Sequence, residues 1–151
     1  MEQPQHNLNP RQIATFRVGS MLFGIDVSIV QEVIRAQRMT RVPLAPPVVK
    51  GLINLRGQIL TAIDLREVLG MEPRSEDQAP MNVVIQTSSD NISILVDRIE
   101  DVIDMEISRI EEPPETVETC YRELLDAVYK LDKGLLLVLN AERVAKFSEE
   151  L

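Results

Sequence analysis

The sequence has few of the residues that form disulfides, metal sites and nucleophilic active sites. Its 151 residues include one cysteine, Cys120, one histidine, His6, and no tryptophan. One cysteine cannot form a disulfide within the chain, and one thiol with one imidazole cannot make the usual zinc ligand sets. A GxSxG motif is absent and His6 is far from Cys120 in the sequence, so no catalytic triad is expected. We predict a protein that is not an enzyme and holds no metal or cofactor.

Other absences from the sequence limit the classes of molecule that the protein is expected to bind. No apolar run approaches the roughly 18–20 residues of a membrane-spanning helix, and the N-terminus lacks the basic and apolar segments of a signal peptide. The phosphate-binding motifs GxxxxGKS/T and GxGxxG do not occur, so nucleotide binding has no support. The chain has 24 acids and 16 bases, and its net charge of −8 opposes binding to a phosphate backbone. We expect a cytoplasmic protein that does not bind nucleic acid.

What the chain does contain is typical of a globular β protein. Hydrophobic residues make up 44% and charged residues 26%, which is enough material for a core. Residues 1–12 are polar, include two prolines and show no periodicity, so we predict a flexible N-terminal tail. Runs of β-branched and aromatic residues between turn residues predict strands. These strands lie at residues 13–18, 21–25, 51–55, 59–63, 82–87, 92–96 (continuing to 103) and 135–139.

Three helices are predicted. Apolar residues recur at helical spacing from 29 to 34, and Ser28 with Gln31 matches a capping box, which predicts a helix there. Asp64 and Asn140 are in the N-cap positions of two further helices. Those helices cover residues 65–69 and 141–147, and the loops include a proline-rich turn at 42–47 and an exposed polar connection at 72–80.

The two halves of the chain resemble each other. Offset by 76 positions, residues 59–69 align with residues 135–145, and both read as strand, capping Asp or Asn, helix. We infer two similar β subdomains. In the same register the apolar positions before residue 56 recur, whereas Asn54 and Arg56 do not, so these two side chains are candidates for contact with a partner. The alternative is that they only form a well-satisfied turn before Gly57.

Charge is distributed unevenly along the chain. Residues 35–66 contain six bases and one acid, a net charge of +5, whereas residues 97–118 contain nine acids and two bases, a net charge of −7. This polarity favours docking of one face on an acidic partner and another on a basic one, or head-to-tail self-association. The alternative is that both segments are spread over solvated surfaces. Because the sequence has no recognisable set of catalytic residues, the uneven charge distribution favours a protein that acts by binding other proteins.

One segment resembles a known family. Residues 50–66, KGLINLRGQILTAIDLR, closely resemble the KGxxNLRGxxxPxxDLR signature of the CheW coupling proteins of bacterial chemotaxis. Residues 23–34 and 96–102 are similar to that family's early GID…VQE pattern and to its second-half strand. The resemblance covers nearly the whole chain. Thr61 departs from it, since the family usually has proline there, and we expect this to affect local strand geometry more than docking.

The resemblance implies a mainly β fold of two intertwined, five-stranded SH3-like barrels with a few short helices. It agrees with the duplication inferred from the residues. It implies a single domain over residues 13–147, with strands exchanged between two subdomains at about 13–71 and 81–147.

The resemblance also implies a function. CheW proteins are non-enzymatic adaptors that join the cytoplasmic tips of chemoreceptors to the regulatory domain of the CheA histidine kinase. We therefore expect a protein recruited from the cytoplasm to receptor arrays, associated with the membrane only through receptors. Association with itself or with a like fold in arrays is a further option, and the kinase-facing residues are left unassigned. The receptor-facing groove between the barrels would include Val30, Glu32, Gly51, Asn54, Leu55 and Arg56.

Arg56 would be the exposed charge that orients on the receptor tip, because its planar guanidinium suits paired contacts with a carboxylate. Val30 could instead belong to a helix core, and Gly51 could meet a backbone requirement. A second candidate function is a small-ligand-binding β-barrel regulator that uses the groove between the subdomains. With aromatic residues at 3%, the chain has few side chains to wall an apolar pocket, which makes this candidate weaker.

Overall fold

The computed structural model describes residues 11–88, 90–113 and 119–148. Of the predicted N-terminal tail, residues 1–10 lie outside the described residues, and Arg11 and Gln12 already belong to the first strand. Eleven strands and three helices form in the described part. The strands are β1 (Arg11–Val18), β2 (Met21–Asp26), β3 (Val30–Arg35), β4 (Val49–Leu55), β5 (Gln58–Asp64), β6 (Met81–Gln86), β7 (Asn91–Val96), β8 (Arg98–Met105), β9 (Ile110–Glu111), β10 (Leu125–Leu131) and β11 (Gly134–Leu139); the helices are α1 (Leu65–Val68), α2 (Thr119–Arg122) and α3 (Ala141–Lys146).

The strands form two sheets, and each sheet draws on both halves of the chain. One has six strands in the order β8-β1-β2-β11-β10-β9, and the other has five in the order β3-β6-β7-β5-β4. The first hairpin, β1–β2, therefore lies in a sheet with the last strands. The parallel pairs β2–β11 and β5–β7 join the two halves. The sixth strand is the two-residue β9, which pairs only with β10.

A common hydrophobic core joins the two sheets. Phe16 and Phe23, from β1 and β2, stack with ring centroids 6.5 Å apart. In the same buried cluster are Ile63 of β5 and Ile85 and Ile94 of the five-stranded sheet. Because the cluster takes side chains from both sheets, burial of apolar surface couples the folding of one sheet to that of the other.

The predicted helix over residues 28–34 is wrong. The chain makes one 3-10 turn at Val27–Ile29 and then enters strand β3, which pairs with β6. Burial alternates along β3, with Val30, Glu32 and Ile34 facing inward. The β-branched residues fit this period of two, and the apparent helical spacing came from apolar residues on both faces of a strand.

The two predicted helix caps are confirmed. The Asp64 carboxylate accepts a hydrogen bond from the backbone N–H of Arg66 at 3.0 Å, and α1 follows directly. The Asn140 side chain accepts one from the backbone N–H of Arg143 at 3.1 Å, at the start of α3. Each cap satisfies a donor that the first helical turn leaves open.

A buried ion network holds the junction of the two halves. Arg66 makes a bidentate contact with Asp97, at 2.9 and 2.6 Å. Arg74 contacts Asp97 at 2.8 Å and Asp64 at 3.1 Å, with only 8% of its side chain exposed. The backbone N–H of Gly19 also donates to Asp97, at 2.7 Å. The connection over residues 72–80 is mainly exposed, as predicted, but Arg74 within it is anchored in this network.

Candidate partner-binding site

The tip of the β4–β5 hairpin carries the motif residues that are not repeated. Leu55 pairs with Gln58, so Arg56 and Gly57 form a two-residue turn. Their φ angles are 55° and 87°, as in type I′ hairpin turns, which usually carry Asn-Gly. The Asn54 side-chain oxygen accepts a hydrogen bond from the backbone N–H of Gly57 at 2.9 Å. Asn54 thus stabilises a turn that holds an arginine in a left-handed conformation, at a cost of about 1 kcal/mol or more.

Arg56 makes a paired contact with Glu32. Its Nη1 and Nη2 donate to the two carboxylate oxygens of Glu32 at 2.7 and 2.9 Å. The Arg56 side chain is 72% exposed and that of Glu32 is 25% exposed. These hydrogen bonds lower the pKa of Glu32 below its ordinary value and raise the pKa of Arg56. Both groups are therefore charged at neutral pH. A carboxylate of a partner can accept hydrogen bonds from the N–H groups of Arg56 that Glu32 does not use.

This ion pair joins the two edges of the five-stranded sheet. Glu32 lies on β3 and Arg56 follows β4, and these are the first and last strands in the sheet order. The chain between them adds a second link, because Thr40 and Leu52 exchange two backbone hydrogen bonds, at 2.9 and 2.7 Å. The sheet is therefore strongly curved, and the site lies where its edges meet.

Gly51 is required by the packing of this curved sheet. A Cβ atom at Gly51 would lie 2.7 Å from the carbonyl oxygen of Thr40 and 3.0 Å from the Cβ of Met39. Gly51 is buried, so its own chain fills the space around it. The backbone requirement considered for Gly51 therefore has a specific cause, which is the close approach of the segment between β3 and β4 that contains Thr40.

The structure brings all six predicted residues into β3, β4 and the turn that follows. Asn54 and Arg56 are exposed, and Val30, Glu32 and Leu55 are half-buried. Val30 packs against the main core, in a strand rather than in a helix core. Leu55 packs against a smaller cluster of Ile53, Ala62 and Leu95. The surface that a partner can reach is therefore centred on Asn54 and Arg56.

Two exposed apolar side chains on the five-stranded sheet were not predicted from the sequence. Val33 on β3 is 40% exposed, and Ile59 on β5 is 58% exposed. Ile59 lies opposite Asn54 in the strand register, beside the Arg56 turn. Treating residues 29–34 as a strand would have placed Val33 on the outer face, since alternate residues of a strand face opposite sides.

Within the described ranges, no group of three or more His, Cys, Asp or Glu side chains is placed to hold a metal ion. In the same part of the chain, no helix is long and apolar enough to cross a membrane. The candidate site consists of the Arg56–Glu32 ion pair, the Asn54 amide and the exposed side chain of Ile59.

The fold and this motif-bearing hairpin agree with a known family. A family model described as the CheW-like domain matches residues 12–149. The chain belongs to the CheW-like family. The predicted resemblance is thereby confirmed, as is a mainly β fold of two sheets with few short helices. Of the family signature, Asn54, Leu55, Arg56 and Gly57 form the exposed hairpin tip.

Relatives within the CheW-like family match over nearly their full length. "Probable chemotaxis protein CheW" of Rhizobium etli is 29% identical over 143 residues, covering 95% of this chain and 91% of that protein. "Chemotaxis protein CheW" of Klebsiella aerogenes is 30% identical over 139 residues, covering 92% and 84%. The crystal structure of scaffolding protein TtCheW from Thermoanaerobacter tengcongensis is similar with a TM-score of 0.79 and 27% identity, covering 87% of this chain and 89% of that one.

Proposed function

We propose that this protein is a chemotaxis adaptor that couples the cytoplasmic tips of chemoreceptors to the regulatory domain of a CheA histidine kinase. Family membership and the names of its relatives support a role as a chemotaxis scaffold. The protein acts by binding free energy alone. It holds receptor and kinase in one cytoplasmic array at the membrane, so that a conformational change in the receptor biases kinase activity.

The proposed binding to the receptor rests on the geometry of Arg56. A long charged side chain is held at a left-handed φ of 55° on an exposed hairpin tip, although glycine or asparagine would fit that turn with less strain. Non-glycine residues in such conformations concentrate at functional sites. Glu32 fixes the guanidinium plane, and Ile59, opposite Asn54 in the strand register, adds apolar surface beside the turn.

The proposal predicts selective loss of receptor binding in Arg56→Glu. The purified protein and the variant are titrated separately against a receptor cytoplasmic fragment and a CheA regulatory domain. We expect the variant to bind the receptor fragment at least about tenfold more weakly, a change of about 1.4 kcal/mol, because it places a second carboxylate beside Glu32. Binding to the kinase domain should be unchanged.

Arg98→Glu is the matched control. Arg98 is also an exposed arginine, 68% exposed, that pairs with a glutamate, but it lies on β8 of the other sheet. Reversing the charge of Arg98 should leave the affinity for the receptor fragment as in the wild type. Binding of the folded wild-type protein to neither partner would contradict the adaptor function. Equal weakening of receptor binding by both reversals would contradict a receptor site centred on Arg56.

A further inference from the structure

A groove opens at one end of the six-stranded sheet. It lies where the β1–β2 turn meets the β10–β11 turn, with Tyr121 of α2 beside it, and its volume is about 530 Å³. Small-molecule sites typically measure about 300–1,000 Å³ and are mostly apolar with a few polar groups. The groove is distant in sequence from the Arg56 hairpin and belongs to the other sheet.

The floor of the groove is aliphatic. Its side chains come from two hairpins that are more than a hundred residues apart in sequence, and one of them, Leu135, is 42% exposed. Covering such surface yields about 25 cal/mol per Å² of apolar area removed from water. The aliphatic lining residues are Met21, Leu22, Leu131, Leu135 and Leu137.

The rim of the groove is basic. Arg17 and Lys133 are among its lining residues, and no aspartate or glutamate is. Arg17 has Glu100 at 3.8 Å. Lys133 has no acidic side chain within 4.0 Å among the residues that the structure describes. In a protein with a net charge of −8, a concave surface with only basic charges favours an anionic occupant.

The fold itself does not require a lysine at residue 133. In the other sheet, the β4–β5 hairpin also has a two-residue turn, with Leu55 opposite Gln58, but Arg56 and Gly57 both have a left-handed φ. In the β10–β11 hairpin, Leu131 is opposite Gly134 and the two-residue turn is Asp132-Lys133, neither of which has a left-handed φ. A turn without a left-handed φ accepts most residue types, so its backbone does not require lysine and Lys133 is available for binding.

We propose that this groove binds a small amphipathic anion, with an apolar body on the aliphatic floor and a single carboxylate or sulfonate beside Lys133 and Arg17. Two bases without a glycine-rich loop suit one anionic group better than a polyphosphate. The groove lies on the six-stranded sheet rather than between the subdomains, and the Arg56 hairpin is not part of it.

The test uses decanoate and anilinonaphthalene sulfonate as probes of the full-length protein. Binding is followed by amide NMR shifts during titration, and decanol serves as the uncharged counterpart of decanoate. We expect saturable shifts at residues 20–22 and 131–137, and decanol should bind at least about tenfold more weakly than decanoate. Lys133→Glu should weaken decanoate binding by a similar factor, and Leu135→Asp should abolish it.

Two control variants make the same chemical changes outside the groove. Lys130→Glu reverses an exposed lysine on the same hairpin, and Ile59→Asp replaces an exposed aliphatic residue on the other sheet. Both should bind decanoate as the wild type does. The proposal is overturned if decanol binds as tightly as decanoate, if Lys130→Glu weakens binding as much as Lys133→Glu, or if the shifts map to other residues or do not saturate.

Discussion

At the scale of single residues, two exposed side chains are held in strained backbone conformations. Arg56 and Leu44 are the only non-glycine residues in the described part of the chain with a left-handed φ, at 55° and 66°. Leu44 follows Pro43 in a turn closed by the Ala45 N–H and the Val42 carbonyl, at 3.4 Å, and it is 99% exposed. Proline is common at the second position of type II turns, in which the third residue has a positive φ and is usually glycine. Both residues therefore keep exposed side chains where glycine would be less strained.

Gly51 allows a direct test of backbone packing. Gly51→Ala would place a methyl group 2.7 Å from a backbone oxygen, and a backbone atom cannot move aside as a flexible side chain can. We expect a loss of about 1–3 kcal/mol in the free energy of unfolding, measured by urea titration. The control Lys50→Ala alters the adjacent exposed residue and should stay within about 0.5 kcal/mol of the wild type. An unchanged stability of Gly51→Ala would show that the segment containing Thr40 can separate from β4.

At the scale of elements, the buried ion network decides how the strands meet. Asp97 lies between β7 of one sheet and β8 of the other. Its contacts with Arg66, Arg74 and Gly19 therefore fix the point where the chain passes from one sheet to the other. The side chain of Asp97 is only 6% exposed. Removing one partner of such a group leaves a buried charge uncompensated, which is strongly destabilising.

Asp97 gives stability a predictable dependence on pH. Burial alone would raise its pKa, but hydrogen bonds from Arg66, the Gly19 N–H and Arg74 outweigh burial and lower the pKa from 3.8 to about 2. Because the folded-state pKa is below the unfolded one, the contribution of Asp97 is complete above about pH 4 and is lost as the pH falls toward 2. Linkage sets this contribution at about 2 kcal/mol.

The measurement is urea unfolding of the wild type and Asp97→Asn at a series of pH values from about 6 to about 2. The variant should be less stable at neutral pH, and the difference should shrink by about 2 kcal/mol across the acid range. Asp101→Asn, a change at an exposed acid on β8, should follow the wild type throughout. A difference between wild type and Asp97→Asn that does not vary with pH would contradict an ionised, stabilising Asp97.

At the scale of the whole molecule, the exchanged strands make the two halves depend on each other. The β1–β2 hairpin pairs with β8 and β11, and β6 and β7 complete the sheet of β3, β4 and β5. Each half of the chain would therefore leave an open edge and an uncovered apolar face if it folded alone. Open edges and uncovered apolar surface disfavour an independent fold.

Division of the chain in the 72–80 connection tests this dependence. Fragments 1–76 and 77–151 should each lack cooperative thermal unfolding by circular dichroism. The mixed fragments should recover it, because the cut falls between exposed residues and leaves Arg74 on the first fragment with Arg66. Cooperative unfolding of either fragment alone would mean that its sheet does not need strands from the other half.

Most local features and the family could be read from the amino-acid sequence. The apolar runs predicted the strands other than β3, β9 and β10, Asp64 and Asn140 capped helices as expected, and residues 50–66 carried the family signature. These signals depend on neighbours along the chain. The β3 strand was missed because six apolar-rich residues fit either period, and only pairing with β6 decides between them.

Contacts between residues that are distant in the sequence follow only from the folded structure. It buries Arg74 between Asp64 and Asp97, and it places Glu32 beside Arg56 at the meeting edges of one sheet. It also assembles the groove from Leu22 and other side chains of two distant hairpins. None of these contacts has a local signal, because each depends on which strands pair across the sheet, and that choice is made by the burial of a core shared by both halves of the chain.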